Sequence, residues 1–192
     1  MAAAETIFAE RGFENSTLEE ISEAADFGKW TIYHYFASKE EIYSAVIKKL
    51  FNQYLITIKL ADKKSSSLRE FLQLLMRSMF LLSIENKSAF LLLVQIRADL
   101  MRDSSLKFFD HIKEIHEEII KIYLRRINKA IRKNEIIKLN ARALAILFKG
   151  MALSHINYIL IDQKKMKIAI DDEIQFILNI IFDGIEKKGT EQ

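Results

Sequence analysis

An all-α fold is what this sequence predicts, and three observations predict it. The 192 residues include no proline and only five glycines, so the usual helix breakers and turn markers are scarce. Apolar residues recur at helical spacing along nearly the whole chain, and no long stretch alternates as a strand would. Thr17 is followed three residues later by Glu20, and Ser38 by Glu41, which is the signature of a capping box at a helix start.

Nine helices follow from these signals. The first covers about residues 2–11 and stops at Gly12, a residue that accepts a left-handed backbone after a helix end. Thr17 caps the second, over about 18–25. The third lies near 29–36, and the fourth starts after Ser38 and continues to about residue 59. A polar joint, Asp62 to Ser67, leads into a fifth helix that reaches Ile84. The remaining helices fall near 89–101, 106–133, 141–161 and 172–187. Three short helices therefore precede longer, more apolar ones, and the division expected is residues 1–45 and 46–192.

Composition narrows the function. With no cysteine, a disulfide framework, a thiolate metal site and a cysteine nucleophile are excluded. No signal-like start is present, and no apolar run reaches the roughly 20 residues of a bilayer span, so a cytoplasmic protein without a membrane partner is expected. The four histidines are scattered, and neither H-E-x-x-H, nor Glu-x-x-His, nor a P-loop, nor G-x-G-x-x-G occurs. The acidic run Asp171–Glu173 reads as a dipole-favoured helix start. No catalytic residue, metal site or cofactor is assigned, and the chain is read as not an enzyme.

Chemistry concentrates between Thr17 and Lys39, in TLEEISEAADFGKWTIYHYFASK. Two short helices joined by a tight turn at Asp26–Phe27–Gly28 make a helix-turn-helix. Ile21, Ala24 and Ala25 form the expected inner face of the second helix, Phe27 plugs the gap, and Ile32 and Phe36 point inward from the third. Lys29, Trp30, Thr31, Tyr33 and His34 are left facing out. An ammonium and two hydroxyls suit phosphate oxygens, which set register, whereas Trp30 and His34 offer groups for base edges. The helix starts at Thr17 and at Ser38–Lys39 are further anion sites, because free N–H groups and the helix dipole favour phosphate there.

The segments AAAETIFAERGF, STLEEISEAA and KWTIYHYFASKEEIYSAV resemble the N-terminal domain of the TetR family of transcriptional regulators over about residues 1–50. The resemblance implies that the third helix enters the major groove and that Tyr33 and Lys39 hold phosphates. The chain departs from the family pattern at Asp26, where Gly is usual, and at Gly28, where Ser or Thr is usual. It departs again at Trp30, where a small residue is common. Trp30 must either enter the groove or fold back on Phe27. Residues 1–60 carry six basic and nine acidic side chains, net −3, a weak electrostatic footprint for a DNA binder. Met1 falls inside what the family treats as its first helix, so the basic arm that precedes that helix is not part of this sequence. Either the start is internal, or affinity rests on a few local cations and two paired domains.

The last two helices are apolar on nearly every side, which favours burial against a partner chain; core burial within a monomer is the other reading. A homodimer is expected, with Phe148, Met151, Ile174, Leu178 and Ile181 at its interface, and the resemblance implies the same pairing. Its operator is a double-stranded, near-palindromic site. Polar groups among apolar neighbours, namely Gln95, Arg97, Tyr123, His155 and Tyr158, are the candidates to orient a small apolar or amphipathic effector. The function expected is a ligand-released repressor whose fourth helix carries the effector signal. The alternative is a helical ligand-binding or interaction protein with a truncated or degenerate DNA-binding domain.

Overall fold

The computed structural model describes residues 1–102, 109–161 and 169–185. Among the described residues the fold is helical throughout: α1 (Ala2–Arg11), α2 (Leu18–Ala24), α3 (Lys29–Tyr35), α4 (Lys39–Lys64), α5 (Leu68–Glu85), α6 (Lys87–Arg102), α7 (Phe109–Arg132), α8 (Ala141–Ile161) and α9 (Ile170–Ile185). Two compact units divide the chain. Residues 1–54 with 82–115 form one; residues 55–81 with 116–192 form the other. By these bounds α4, α5 and α7 each contribute to both.

In the first unit α1 packs on α6 and on α2, and α2 packs on α3. Phe8 sits edge-on to Tyr43 at 4.9 Å, and Phe13 lies 4.8 Å from the same ring. Val46, Ile47, Phe90 and Ile96 complete an apolar core from α4 and α6. One carboxylate lies inside this unit. The side chain of Glu5 is 4% exposed and pairs with Lys49 of α4. Its other oxygen lies 3.4 Å from the amide of Asn86, between α5 and α6. A buried carboxylate needs such partners, because an unpaired one would lose its hydration without replacement.

Gly12 ends α1 at φ 75° and ψ 170°, a region essentially reserved for glycine rather than the ordinary left-handed well. The capping box of α2 forms as expected: Thr17 Oγ1 accepts from the Glu20 amide at 3.2 Å, and Glu20 Oε2 accepts from the Thr17 amide at 3.0 Å.

The second unit is held by a different ionic joint. Asp62, Lys63 and Lys64, expected in a polar linker, are helical, and α4 runs on to Lys64. The reason is Arg126 of α7, buried at 8% exposure. Its Nε donates to Asp62 Oδ1 at 2.6 Å, its guanidinium also donates to the Asp62 carbonyl, and a further N–H donates to the Ser65 carbonyl at 3.1 Å. The carbonyls that a helix end leaves without partners are satisfied by one planar cation. Arg125 adds a second ion pair to Asp62. Ser67 then caps α5 by accepting from the Glu70 amide at 3.1 Å. α5 is tied to α9 by Arg77–Asp171 and by Arg69, which donates to Asn179 and lies over Phe182.

Candidate nucleic-acid interface

The turn between α2 and α3 is closed by its backbone. Asp26 adopts φ 55°; its N–H donates to the Glu23 carbonyl at 3.1 Å, and the Phe27 N–H donates to the Ser22 carbonyl at 3.0 Å. These are the two bonds of a Schellman motif, with aspartate in the left-handed position that glycine more often fills. Ser22 is buried on the inner face and its hydroxyl donates to the Phe27 carbonyl at 2.7 Å. That bond permits a polar side chain where Ala24 was expected; Ala24 is exposed, Ala25 half-buried. Phe27 is no plug either. The hydroxyl and backbone bonds already close the turn, and the ring is 60% exposed.

Beyond Gly28, α3 buries Ile32, half-buries Phe36 just past its end, and turns the rest outward. Trp30 is 80% exposed and Tyr35 72% exposed. His34 and Tyr33 are exposed, and Thr31 is half-buried. Trp30 does not fold back on Phe27. Its indole lies nearly parallel to the imidazole of His34, with ring centroids 5.6 Å apart and planes 16° apart. Tyr35 meets the same imidazole edge-on. The side chain of Lys29 lies outside the described residues.

The groups expected to hold phosphate are more committed than spacing indicated. Tyr33 donates its hydroxyl to Glu19 of α2 at 3.2 Å. Lys39 turns back over the Phe13 ring and donates to the carbonyls of Phe13 at 2.7 Å and Glu14 at 3.3 Å, which leaves one further N–H. At Thr17 the amide that a phosphate would use is bonded to the Glu20 carboxylate. At the start of α4 the Ala37 amide is bonded to Glu41 Oε2 at 2.7 Å. Bonds from its own amide and from Ser38, helped by the Lys39 charge, hold the Glu40 carboxyl below its ordinary range. Both helix starts thus already hold carboxylates of this chain, on the Thr17 and Ala37 amides.

Three of the effector candidates, Gln95, Tyr123 and Tyr158, have described side chains. Gln95 donates to the Ala9 carbonyl at 3.1 Å, tying α6 to α1 in the first unit. Tyr123 is buried in the second, edge-on to Phe71 at 5.4 Å. Tyr158 is exposed. The side chains of Arg97 and His155 lie outside the described residues. Sequence reading missed one polar pair, His116 of α7 and Lys149 of α8, whose Nδ1 and Nζ are 2.6 Å apart and half-buried. A lysine in the middle of an otherwise apolar helix was the available signal.

Of the residues expected at the interface, Phe148, Ile174 and Leu178 are buried within the chain itself, and Met151 and Ile181 are half-buried. Among the described residues, the large apolar side chains that α8 and α9 turn outward include Ile146, Leu147, Phe176 and Ile180, together with the aromatic Tyr158.

Among the described residues no group of His, Asp and Glu could hold a metal ion, and no single helix is long and apolar enough to cross a membrane.

Comparison with known proteins agrees with this geometry. Residues 1–46 match the family described as bacterial regulatory proteins, tetR family. A biofilm-operon negative transcriptional regulator of Staphylococcus epidermidis, IcaR, is 27% identical over 122 residues, 62% of this chain and 64% of that one; the chain thus spans less than two thirds of this relative. The fatty acid metabolism regulator protein of Bacillus subtilis is 25% identical over 189 residues, 97% of this chain and 93% of that one. A solved structure, the putative fatty acid metabolism regulator of Clostridium perfringens, superposes with a TM-score of 0.76 at 28% identity, covering 98% and 100% of the two chains. The outward α3, the closed turn before it and these likenesses agree on the N-terminal segment: residues 1–46 form a helix-turn-helix of the tetR family of bacterial regulatory proteins.

Proposed function

We propose that this chain is a cytoplasmic transcriptional repressor that binds a near-palindromic DNA operator as a homodimer and is released by a fatty-acyl coenzyme A. The observation that carries the reading is α3, held by an intact Schellman turn with Trp30, His34 and Tyr35 displayed outward. The recognition helix of a helix-turn-helix meets base edges with its N-terminal residues. Thr31 and the remaining N–H of Lys39 supply phosphate contacts beside it, and Tyr33 joins them only when its hydroxyl is released from Glu19. The degenerate-domain alternative draws on Glu19, Glu23 and Asp26 near this face. Glu19, however, is engaged by Tyr33, and Asp26 builds the turn itself.

Repression and the effector class draw on the relatives, one named a negative regulator, two named for fatty acid metabolism, and a solved Bacillus subtilis regulator of similar fold described in complex with stearoyl-CoA. An acyl thioester is amphipathic, which suits a largely apolar second unit whose polar groups include Tyr123 and the His116–Lys149 pair. The dimer uses the outward faces of α8 and α9. α4 begins at the DNA-binding end and finishes at the Asp62–Arg126 joint, so it is a continuous element through which an effector can act. Regulation requires that the effector bind the two DNA-affinity states unequally. No step of this reading calls for catalysis, and the chain is read as a regulator rather than an enzyme.

The test is selection of bound duplexes from a random pool, followed by titration of the selected operator with palmitoyl coenzyme A. Operator affinity should fall about 5- to 150-fold at saturation and stay constant with coenzyme A alone. Constant affinity across long and short acyl chains would refute the effector class, and failure to select any sequence would refute the repressor.

A further inference from the structure

The Trp30–His34 stack is not explained by folding. An indole left 80% exposed contributes little to the core, and a small side chain at that place would leave the buried face of α3, with Ile32, unchanged. The stack does fix the two rings against each other, since residues four apart on a helix lie one above the other. Two free rotors thereby become one plate, and an ordered group loses less conformational entropy when it meets a partner.

The chemistry of the plate matches one kind of surface. Its indole presents an apolar face and edge, and its imidazole carries at least one N–H donor in either protonation state. In the major groove thymine presents a C5-methyl group, and purines present N7 as an acceptor. One helical turn rises about 5.4 Å, so groups four residues apart reach neighbouring base pairs rather than the same one. Thr31 is half-buried and Tyr33 is bonded to Glu19, so neither projects as far as the plate does.

We propose that Trp30 and His34 act together as the specificity-determining element of α3, Trp30 against the methyl group of a thymine and His34 donating to N7 of a purine in an adjacent pair. This rests on the reading of α3 as the groove-entering helix. A protein-binding role for the same patch is the competing outcome.

The test uses the full chain and the duplex selected by the wild type. Thymines are replaced singly by uracil, which removes only the methyl group, and purines by their 7-deaza forms. Affinities are measured for wild type, Trp30→Ala, Trp30→Phe and His34→Ala, with thermal melts confirming folding. One thymine in each half-site should weaken wild type about tenfold when replaced by uracil. The same change should matter less than twofold to Trp30→Ala, and Trp30→Phe should keep the sensitivity. A neighbouring 7-deaza purine should weaken wild type about tenfold and His34→Ala less than twofold. Equal sensitivity of wild type and variants at every position would overturn the proposal while leaving the repressor reading intact. So would a folded Trp30→Ala with unchanged operator affinity, and that result would assign the patch to a protein partner. If the wild type selects no duplex, the repressor reading itself fails first.

Discussion

The turn and α3 expose Phe27, Trp30, Tyr33, His34 and Tyr35, whereas α8 and α9 expose Ile146, Leu147, Phe176 and Ile180. Both sets are large, and neither is covered by its own unit. Four of the five α3-side groups carry a polar atom on an aromatic body, a combination suited to a partly wet, polar surface. None of these four on α8 and α9 carries one, although Tyr158 of α8 is exposed with its hydroxyl, and a mainly apolar face of this kind is matched by a dry, self-complementary contact like the core of a homodimer interface. The difference sets the proposed reading surface apart from the proposed pairing surface.

The largest effect should come from charging the pairing surface. Leu147→Glu with Ile180→Glu is expected to raise the dimer dissociation constant more than about a hundredfold, measured by sedimentation; an unchanged dimer would break the comparison. Next comes a contrast in stability. Asp62→Ala removes the partner of a buried guanidinium, with an expected loss of about 3 kcal/mol in denaturant titrations. Trp30→Ala should change stability by less than about 0.5 kcal/mol, because the ring is exposed. A large loss for Trp30→Ala would move that residue from reading to folding. Gly12→Ala places a side chain at φ 75° and ψ 170° and should cost about 1–3 kcal/mol, loosening the link before α2.

The smallest effect is on acid stability. Glu40 and Glu70 both lie below the ordinary carboxyl value of 4.5, each chiefly through a backbone hydrogen bond, to its own amide and to Ser66 respectively. Their folded-state values are lowered, so each favours folding above about pH 4.5, and that contribution is lost as pH falls through the depressed values. Glu40→Gln and Glu70→Gln should each flatten the acid limb of stability against pH, the first in the DNA-binding unit and the second in the other. An unaltered limb would show that these caps contribute nothing.

What the sequence made legible was local. Capping residues announced the starts of α2 and α4, and the tight turn at Asp26 was readable because aspartate tolerates a left-handed backbone. The faces of α8 and α9 were not readable, because a helix apolar on every side has no periodicity to orient it; Phe148 and Leu147 look alike in sequence and point opposite ways in the fold. Lys39 was placed outward because nothing local shows that a long side chain will return to carbonyls at Phe13 and Glu14. The polar joint after α4 was misread for a similar reason, since Arg126, which extends that helix, stands more than 60 residues away.

Trp30 is the chain's one tryptophan, so its fluorescence reports on α3 without labelling. The most direct test of the central claim is acrylamide quenching of that emission while the selected operator is titrated in. The account predicts ready quenching in the free protein and strong protection on the operator, saturating at one dimer per site. Operator binding seen by gel mobility with no change in quenching would contradict it.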